Sequence, residues 1–415
     1  MQFNAIKWRT KREFQIEWNK FLSIQWVRFF FSLLMASTVC SCGQAAESKT
    51  PPPQISGIIY TNYRVRKAPW SIHVVKVDRK SPLFEIRSVH AESQAIGLST
   101  LTEQIRTISK SGGKPVAGIN GDFYQRDSLL AGDPRGLQIC DGNILSSPGG
   151  ATFWIDAVGE PHADNVSSQF QVIWADGSST PFEINGTPRS SRAELYTDVF
   201  GDRIPDTESG SRLLVLEAEA PATLSPLHIG RSYSVRVREV RNSEDKIPAG
   251  GAILAIGPRL GSRVPKIGAD AKAKLVTLCT PNLKGIKNAI SGGPVLMRDG
   301  HRLRMPQGNS FEFSSMDERH PRTAIGWNAD YYFLMEVDGR QRHLSAGMTL
   351  DELTDFMADL GCENLMNLDG GGSATLWYLG KVRNSPCDGH EREIANSLVV
   401  VRKDESETAK APAAN

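Results

Sequence analysis

Apolar, strand-like runs that stop at glycine recur through this chain, and they constrain its fold more than any other feature. Four stretches carry the pattern: "GINGDFY" (118–124), "ISGGPVLMRDG" (290–300), "RHPRTAIGW" (319–327) and "NLDGGGSAT" (367–375). In the last, Asp369 stands directly before Gly370, Gly371 and Gly372, with Ser373 and Thr375 behind. Glycine loses the most conformational entropy on ordering, so a cluster marks a backbone shape or close approach forbidden to other residues. One glycine after a strand is usually a plain turn. Four such ends, three with Asn, Asp or Ser beside the glycine and one with Arg322, predict a shared backbone-lined surface.

The runs between these ends alternate in character. "SIHVVKVD" has strand periodicity, and "NSLVVVRK" supplies a last strand. "TLTEQIRTISKSG" opens with a capping box, Thr100 to Glu103, and places Leu101, Ile105 and Ile108 on one face. "TLDELTDFMADLG" repeats that grammar with Thr349, Glu352 and a Leu350, Leu353, Met357, Leu360 stripe. "YYFLMEVDGRQRHLS" reads as a hairpin turning at Asp338-Gly339. These elements predict an α+β class, a mixed β-sheet core with packed helices in a single large catalytic domain.

That domain is expected over residues 55–403. Before it, Lys7, Arg9, Lys11, Arg12, Lys20 and Arg28 precede "FFFSLLMASTV", a run too short to span a bilayer and right for an export signal. Val39-Cys40-Ser41-Cys42 resembles a loose lipoprotein processing box, with a plain secretory cleavage as the alternative. The reading is a signal segment over 1–42, a Pro-rich tether over 43–54 and a solvated tail over 404–415. It places the protein outside the cytoplasm, periplasmic or at the cell surface, held to the membrane only by lipid at Cys42. After export Cys140, Cys279, Cys362 and Cys387 remain. Cys362 and Cys387 bracket the glycine run, so they are expected to pair and pin it, against the alternative of free buried thiols.

The net charge of +2 and the lack of a basic block after the N-terminal region argue against a nucleic-acid partner. The glycine run is no phosphate-binding P-loop, because no Lys follows it. Ser373 has Thr375 where a nucleophile elbow needs a second glycine, and no G-x-G-x-x-G occurs. No CxxC appears and the eight histidines show no paired helical spacing, so no metal ligands and no cofactor are assigned; a divalent ion stays open. What remains is anion chemistry. Glycine-edged backbone N–H groups favour anions, Arg322 offers a planar fork for phosphate or carboxylate, and Asp369 and Asp122 are carboxylates for glycosyl or phosphoryl transfer.

Taken in this order, the four stretches resemble the phosphodiester glycosidase family, whose animal member removes N-acetylglucosamine from a sugar phosphodiester. The similarity is most specific at "NLDGGGSAT" with the following "LGKVRNSP", and extends to "PRTAIG", "ISGGPVLMRDG" and the Asn-Gly of "GINGDFY". "INGTPRSSRAELYTDVFG" (184–201) looks like a segment of bacterial members. The resemblance implies Asp369, Arg322 and Asn120 as catalytic residues. It implies a carbohydrate or sugar-phosphate substrate lined by Ser373, Gly370, Gly371, Gly372, Ser291, Gly292 and Thr323. Asp122 and His320 join the lining, although Asp122 departs from the family pattern, where many members carry Gly, and His320 lies outside its specific part. The implied activity is hydrolysis of the glycosyl bond of a sugar-1-phosphodiester, similar to an N-acetylglucosamine-1-phosphodiester, or of a related envelope or exopolysaccharide glycan. Two other readings stand beside it: a non-catalytic polysaccharide-binding module, and a metal-dependent phosphodiesterase cutting the P–O bond.

Overall fold

Strands dominate because runs such as Trp70–Asp78 and Asn396–Arg402 bury side chains on both faces, which a two-sided sheet layer requires. In Trp70–Asp78, Val75 and Val77 enter one core while Ile72 and Val74 enter another. Leu398 and Val400 face the first of these cores, and Val399 and Val401 a third. The structure, a computed structural model, describes residues 55–91, 96–111, 113–126, 130–241, 246–304 and 315–403. The expected leader, tether and tail lie outside the described residues. The described residues belong to one compact unit. Among the described residues no helix is long and apolar enough to cross a membrane.

Four sheets account for the fold. The first has seven strands in the order Ile58–Val65, Trp70–Asp78, Tyr331–Val337, Arg322–Trp327, Asn364–Asn367, Val295–Arg298, His301–Arg302. The second has five, Lys381–Val382, Leu376–Tyr378, Lys114–Asn120, Asn396–Arg402 and Phe84–His90. The third, also five-stranded, is built around Ala289–Gly292, with Gln138–Cys140 and Ala151–Ile155 on its flanks. Ile325, Leu334 and Met366 of the first sheet, Ile119 and Leu376 of the second, and Phe153 and Ile290 of the third share one dry core. The fourth sheet, eight strands drawn from residues 167–280, packs Phe170, Val172, Leu214 and Leu254 against Leu137, Ile139 and Ile144 of the third.

The expected α+β class is therefore corrected to a layered β architecture. Twenty-five strands are described, and only Leu101–Ser111 and Leu350–Asp359 are helices longer than four residues among the described residues. Every strand pair named within the sheets is antiparallel except Glu183–Ile184 with Ala193–Thr197, so the sheets are not mixed in the sense expected. Both helices start at the capping boxes read from the sequence: Glu103 N donates to Thr100 Oγ1, and Glu352 N to Thr349 Oγ1. They cover outer faces instead of forming a layer. Leu350, Leu353 and Met357 pack on Val74 and Met335, and Leu101, Ile105 and Ile108 on Val89 and Val399.

Two local expectations also give way. The hairpin turns at Asn328–Asp330, where Arg322–Trp327 pairs with Tyr331–Val337, and Asp338-Gly339 leaves the sheet instead. The Cys362–Cys387 disulfide is absent, and all four described cysteines are free. The Cys362 thiol donates to Asn364 O (3.0 Å) within the core under the second helix, whereas Cys387 lies in a loop beside Asp388. Proximity in sequence to one loop is no measure of distance once a strand intervenes.

Thr349→Ala removes the side-chain half of a complete capping box. It is expected to lower unfolding stability by about 1 kcal/mol, read as a shift in the urea midpoint with an unchanged m-value.

Candidate active site

Three of the four glycine-marked ends converge where the first, second and third sheets meet, and the fourth stretch enters through its strand. The strand Asn364–Asn367 delivers Leu368 and Asp369 to the edge of the first sheet; Leu368 N still donates to Thr323 O (2.9 Å). Asp369 N then donates to Gly121 O (2.9 Å), immediately after the second-sheet strand Lys114–Asn120. Asn120 fixes this junction with its whole side chain. Its Nδ2 donates to Asp369 O (2.7 Å), and its Oδ1 accepts from the Thr323 hydroxyl (2.7 Å) and from Thr375 N (3.0 Å). An amide carries both functions at one site, which is why Asn suits the position.

The glycine run answers to close approaches. A Cβ on Gly370 would lie 2.5 Å from Pro321 O, and Gly371 sits at φ +61° with the Arg340 guanidinium 3.2 Å from where its Cβ would be. At Gly372 a Cβ would collide with the Arg392 guanidinium and with Asp388. The run forms a single 3-10 turn, Gly371–Ser373, whose backbone is open to two arginines.

Two carboxylates occupy the junction. Asp122 is buried, 4% exposed; its Oδ2 accepts from Gly136 N (2.8 Å), and its own N–H donates to Asn396 Oδ1 (2.8 Å). Burial pushes its pKa up to about 7, with the Gly136 and Phe123 amides opposing the rise and the Asp369 charge adding to it. Asp369 is half-buried, its Oδ1 accepting from Gly370 N (2.8 Å); burial lifts its pKa to about 6, restrained by Ser373, the Gly370 amide, Arg392 and Arg135. The Ser373 hydroxyl is buried and has no hydrogen bond of normal geometry, yet it lies near enough to Asp369 and to Tyr124 to lower both pKa values. Tyr124 closes the side by donating to Glu393 O (2.7 Å).

The other expected residues fall into different places. Arg322 is buried, but its fork is committed to the main chain: Nε donates to Met348 O (2.8 Å) and Nη2 to Ser315 O (2.6 Å) and Glu318 O (2.8 Å). In this structure its Nε and Nη2 brace the segment leading into the strand. Burial together with Arg340 depresses its pKa to about 10. Thr323 and Ser291 lie behind the junction; Ser291 shares a hydrogen bond with Thr152 (2.8 Å) and packs against Gly136. Gly292 fits against Asn367 O and Leu368, where a Cβ would clash. His320 bridges Glu318 (3.2 Å) and Arg340 (3.2 Å), and burial with the two nearby arginines lowers its pKa.

Arg340, Arg392, Arg135 and Tyr124 went unread in the sequence. Arg392 is clamped by Asp388 (2.9 and 2.6 Å). Its place beside Gly372 depends on how the chain between Tyr378 and Asn396 folds back, and no local spacing reports that. Arg340 follows the turn that was misread as a hairpin, so its approach to Gly371 was hidden by that error.

A glycine-edged turn, a carboxylate of raised pKa and adjacent guanidinium groups thus come together on antiparallel sheets. Residues 235–401 match the phosphodiester glycosidase family, as the glycine-marked motifs led one to expect. Over 123 residues the chain is 32% identical to the SPbeta prophage-derived uncharacterized protein YomE of Bacillus subtilis; the aligned part covers 29% of this chain and 18% of that longer protein. Among solved structures, a Synechocystis protein aligns with a TM-score of 0.67 and 19% identity over 84% of this chain and 62% of its own length. A candidate exported protein of Burkholderia pseudomallei aligns at 0.60 and 19% over 80% and 74%. At these identities the two structures speak for the fold.

The raised carboxyls set a pH dependence. A group whose pKa is higher in the folded than in the unfolded chain contributes stability at low pH and loses it as pH rises through the folded value. With about 1.4 kcal/mol for each pKa unit, ionising Asp122 costs the fold on the order of 4 kcal/mol, from the ordinary 3.8 to about 7. The thermal midpoint is therefore expected to fall as pH rises from about 4 to about 7, and Asp122→Asn to flatten that slope. Arg322→Lys is expected to lower the midpoint at every pH, because a point charge cannot span three carbonyls. A profile identical in wild type and Asp122→Asn would refute the assignment.

Proposed function

We propose that the protein is an exported hydrolase that cleaves the glycosyl bond of a sugar-1-phosphodiester, an N-acetylglucosamine-1-phosphodiester or a related envelope glycan. The observation that carries this reading is Asp369, held at about pKa 6 beside the glycine run with Arg340 and Arg392 against the same glycines. The family match over 235–401 supports a glycosidase-type activity.

A phosphodiester leaves readily as its own anion, so the protein's task is to hold negative charge on one side and present a carboxylate to the anomeric carbon on the other. Arg340 and Arg392 receive the phosphate. Asp369 ionises more readily than Asp122, whose carboxyl burial pushes further up. The Asp369 carboxylate stabilises the oxocarbenium-like centre while the C1–O bond to phosphate breaks. A water oxygen ends on C1 and the phosphomonoester departs. Ser373, whose buried hydroxyl lacks a well-formed bond, is placed to hydrogen-bond the bound sugar or phosphate. Export to the envelope, with lipid at Cys42, rests on the basic and apolar leader and on "VCSC". The Burkholderia structure with the same fold is itself a candidate exported protein.

Product analysis on a panel of sugar-1-phosphodiesters tests the reaction. Free sugar plus phosphomonoester is expected; sugar phosphate plus free alcohol would mean P–O cleavage and would overturn the reading. Asp369→Asn, nearly isosteric, is expected to lose about a hundredfold or more in kcat without loss of thermal stability, and Arg340→Ala to raise KM. Turnover of Asp369→Asn at the wild-type rate would remove that residue from the mechanism.

A further inference from the structure

A second titratable cluster lies one strand from the active-site junction and takes no part in it. His73, Glu336 and Asp338 are 3%, 0% and 1% exposed, and their ligand-type atoms all lie within 4.8 Å of one another. The sheet register brings them together. His73 pairs directly with Glu336, so both side chains share one face, and Asp338 lies two residues further along, on the same side.

The cluster is built asymmetrically. Asp338 is well held: its Oδ2 accepts from Ser71 Oγ (2.6 Å) and lies 3.1 Å from His73 Nε2, and its Oδ1 accepts from Ser385 N (2.6 Å). His73 Nδ1 is engaged by the Tyr60 hydroxyl (2.8 Å). Glu336 has nothing comparable, for both of its carboxylate oxygens are buried without a hydrogen bond. The Asn384 amide, which donates to Ala374 O (3.0 Å), lies beside the Glu336 carboxyl without a bond of normal geometry to it. Burial and the Asp338 charge drive the Glu336 carboxyl well above the ordinary range. A fully buried acid aimed at a second acid and an imidazole asks for a positive charge among them.

We propose that His73 Nε2, Glu336 and Asp338 hold one divalent transition-metal ion, of the Zn2+ or Mn2+ class. One imidazole and two carboxylates are a donor set for such ions. Tyr60 on Nδ1 orients the ring, the ion would take Nε2 in place of its present contacts with Asn62 Nδ2 (3.2 Å) and Ser71 Oγ (3.3 Å), and Ser71 and Ser385 fix the Asp338 carboxylate, as outer partners of metal ligands do. The ion's part is positional. Glu336 pairs across the sheet with Thr323, whose hydroxyl donates to Asn120 Oδ1, so the metal fixes the strand on which the Asp369 junction rests.

The test uses the purified full chain and metal salts alone. Protein isolated without chelator is analysed for metal content; a chelator-stripped, dialysed sample is then titrated with ZnCl2 and, separately, MnCl2 by calorimetry, with thermal unfolding alongside. One ion bound per chain is expected, with a rise of several degrees in the midpoint. Glu336→Gln and His73→Gln are expected to lose both the binding heat and the rise. Wild type that takes up neither ion would overturn the proposal, and so would binding that persists in both variants. If a variant fails to fold, the wild-type titration decides alone. Glu336→Gln melting at or above metal-treated wild type would also overturn it, leaving a buried acid that simply keeps its proton.

Discussion

Much of this molecule hangs on one side chain, the carboxamide of Asn120. It ends a strand of the second sheet, accepts from Thr323 of the first and from Thr375 beyond the glycine turn, and donates to the carbonyl of Asp369. Three segments far apart in sequence are fixed relative to one another by three hydrogen bonds within a buried region. There, an unmade bond costs more than a made one contributes. Packing of the shared core sets the sheets face to face, but their ends could still slide; the amide sets the register between them. The orientation of the Asp369 carboxylate follows from that register.

The same region shows how the fold accommodates acids in a dry place. Burial raises the pKa of Asp122 and of Asp369, the Asp369 charge adds to the rise at Asp122, and the backbone amides of Gly136 and Gly370 hold the rise in check. The protein gives up stability near neutral pH to keep these carboxyls where they are. The charges of Arg135 and Arg392 temper the cost. Pairs of titratable groups whose surroundings separate their pKa values are what acid–base work needs.

The sequence was most legible where the physics is local. Both capping boxes and their apolar stripes are read off a few neighbouring residues, and both helices begin where those signals stand. The glycine-marked ends were legible for a related reason: glycine is dear enough that four clusters need a common cause, and the structure brings Gly121, Gly292 and Gly370 to one junction. Class was not legible, because two well-formed helical signals say nothing about how many strands surround them. What Arg322 holds in this structure was not legible without its neighbours. A guanidinium fork suits an anion and a set of main-chain carbonyls alike, and only Met348, Ser315 and Glu318 decide between them. The bracketing cysteines misled similarly, since the strand Asn364–Asn367 carries the glycine run away from Cys362.

Those cysteines have a bearing on how the fold opens. Burial raises the pKa of all four thiols, Cys140 and Cys362 to about 12, so little of the reactive thiolate forms at physiological pH. None is cross-linked, and the dry cores rather than covalent staples hold the sheets together. At Cys362, 3% exposed, a thiol reagent reaches the sulfur only when the surrounding core opens, so its rate of labelling reports that opening.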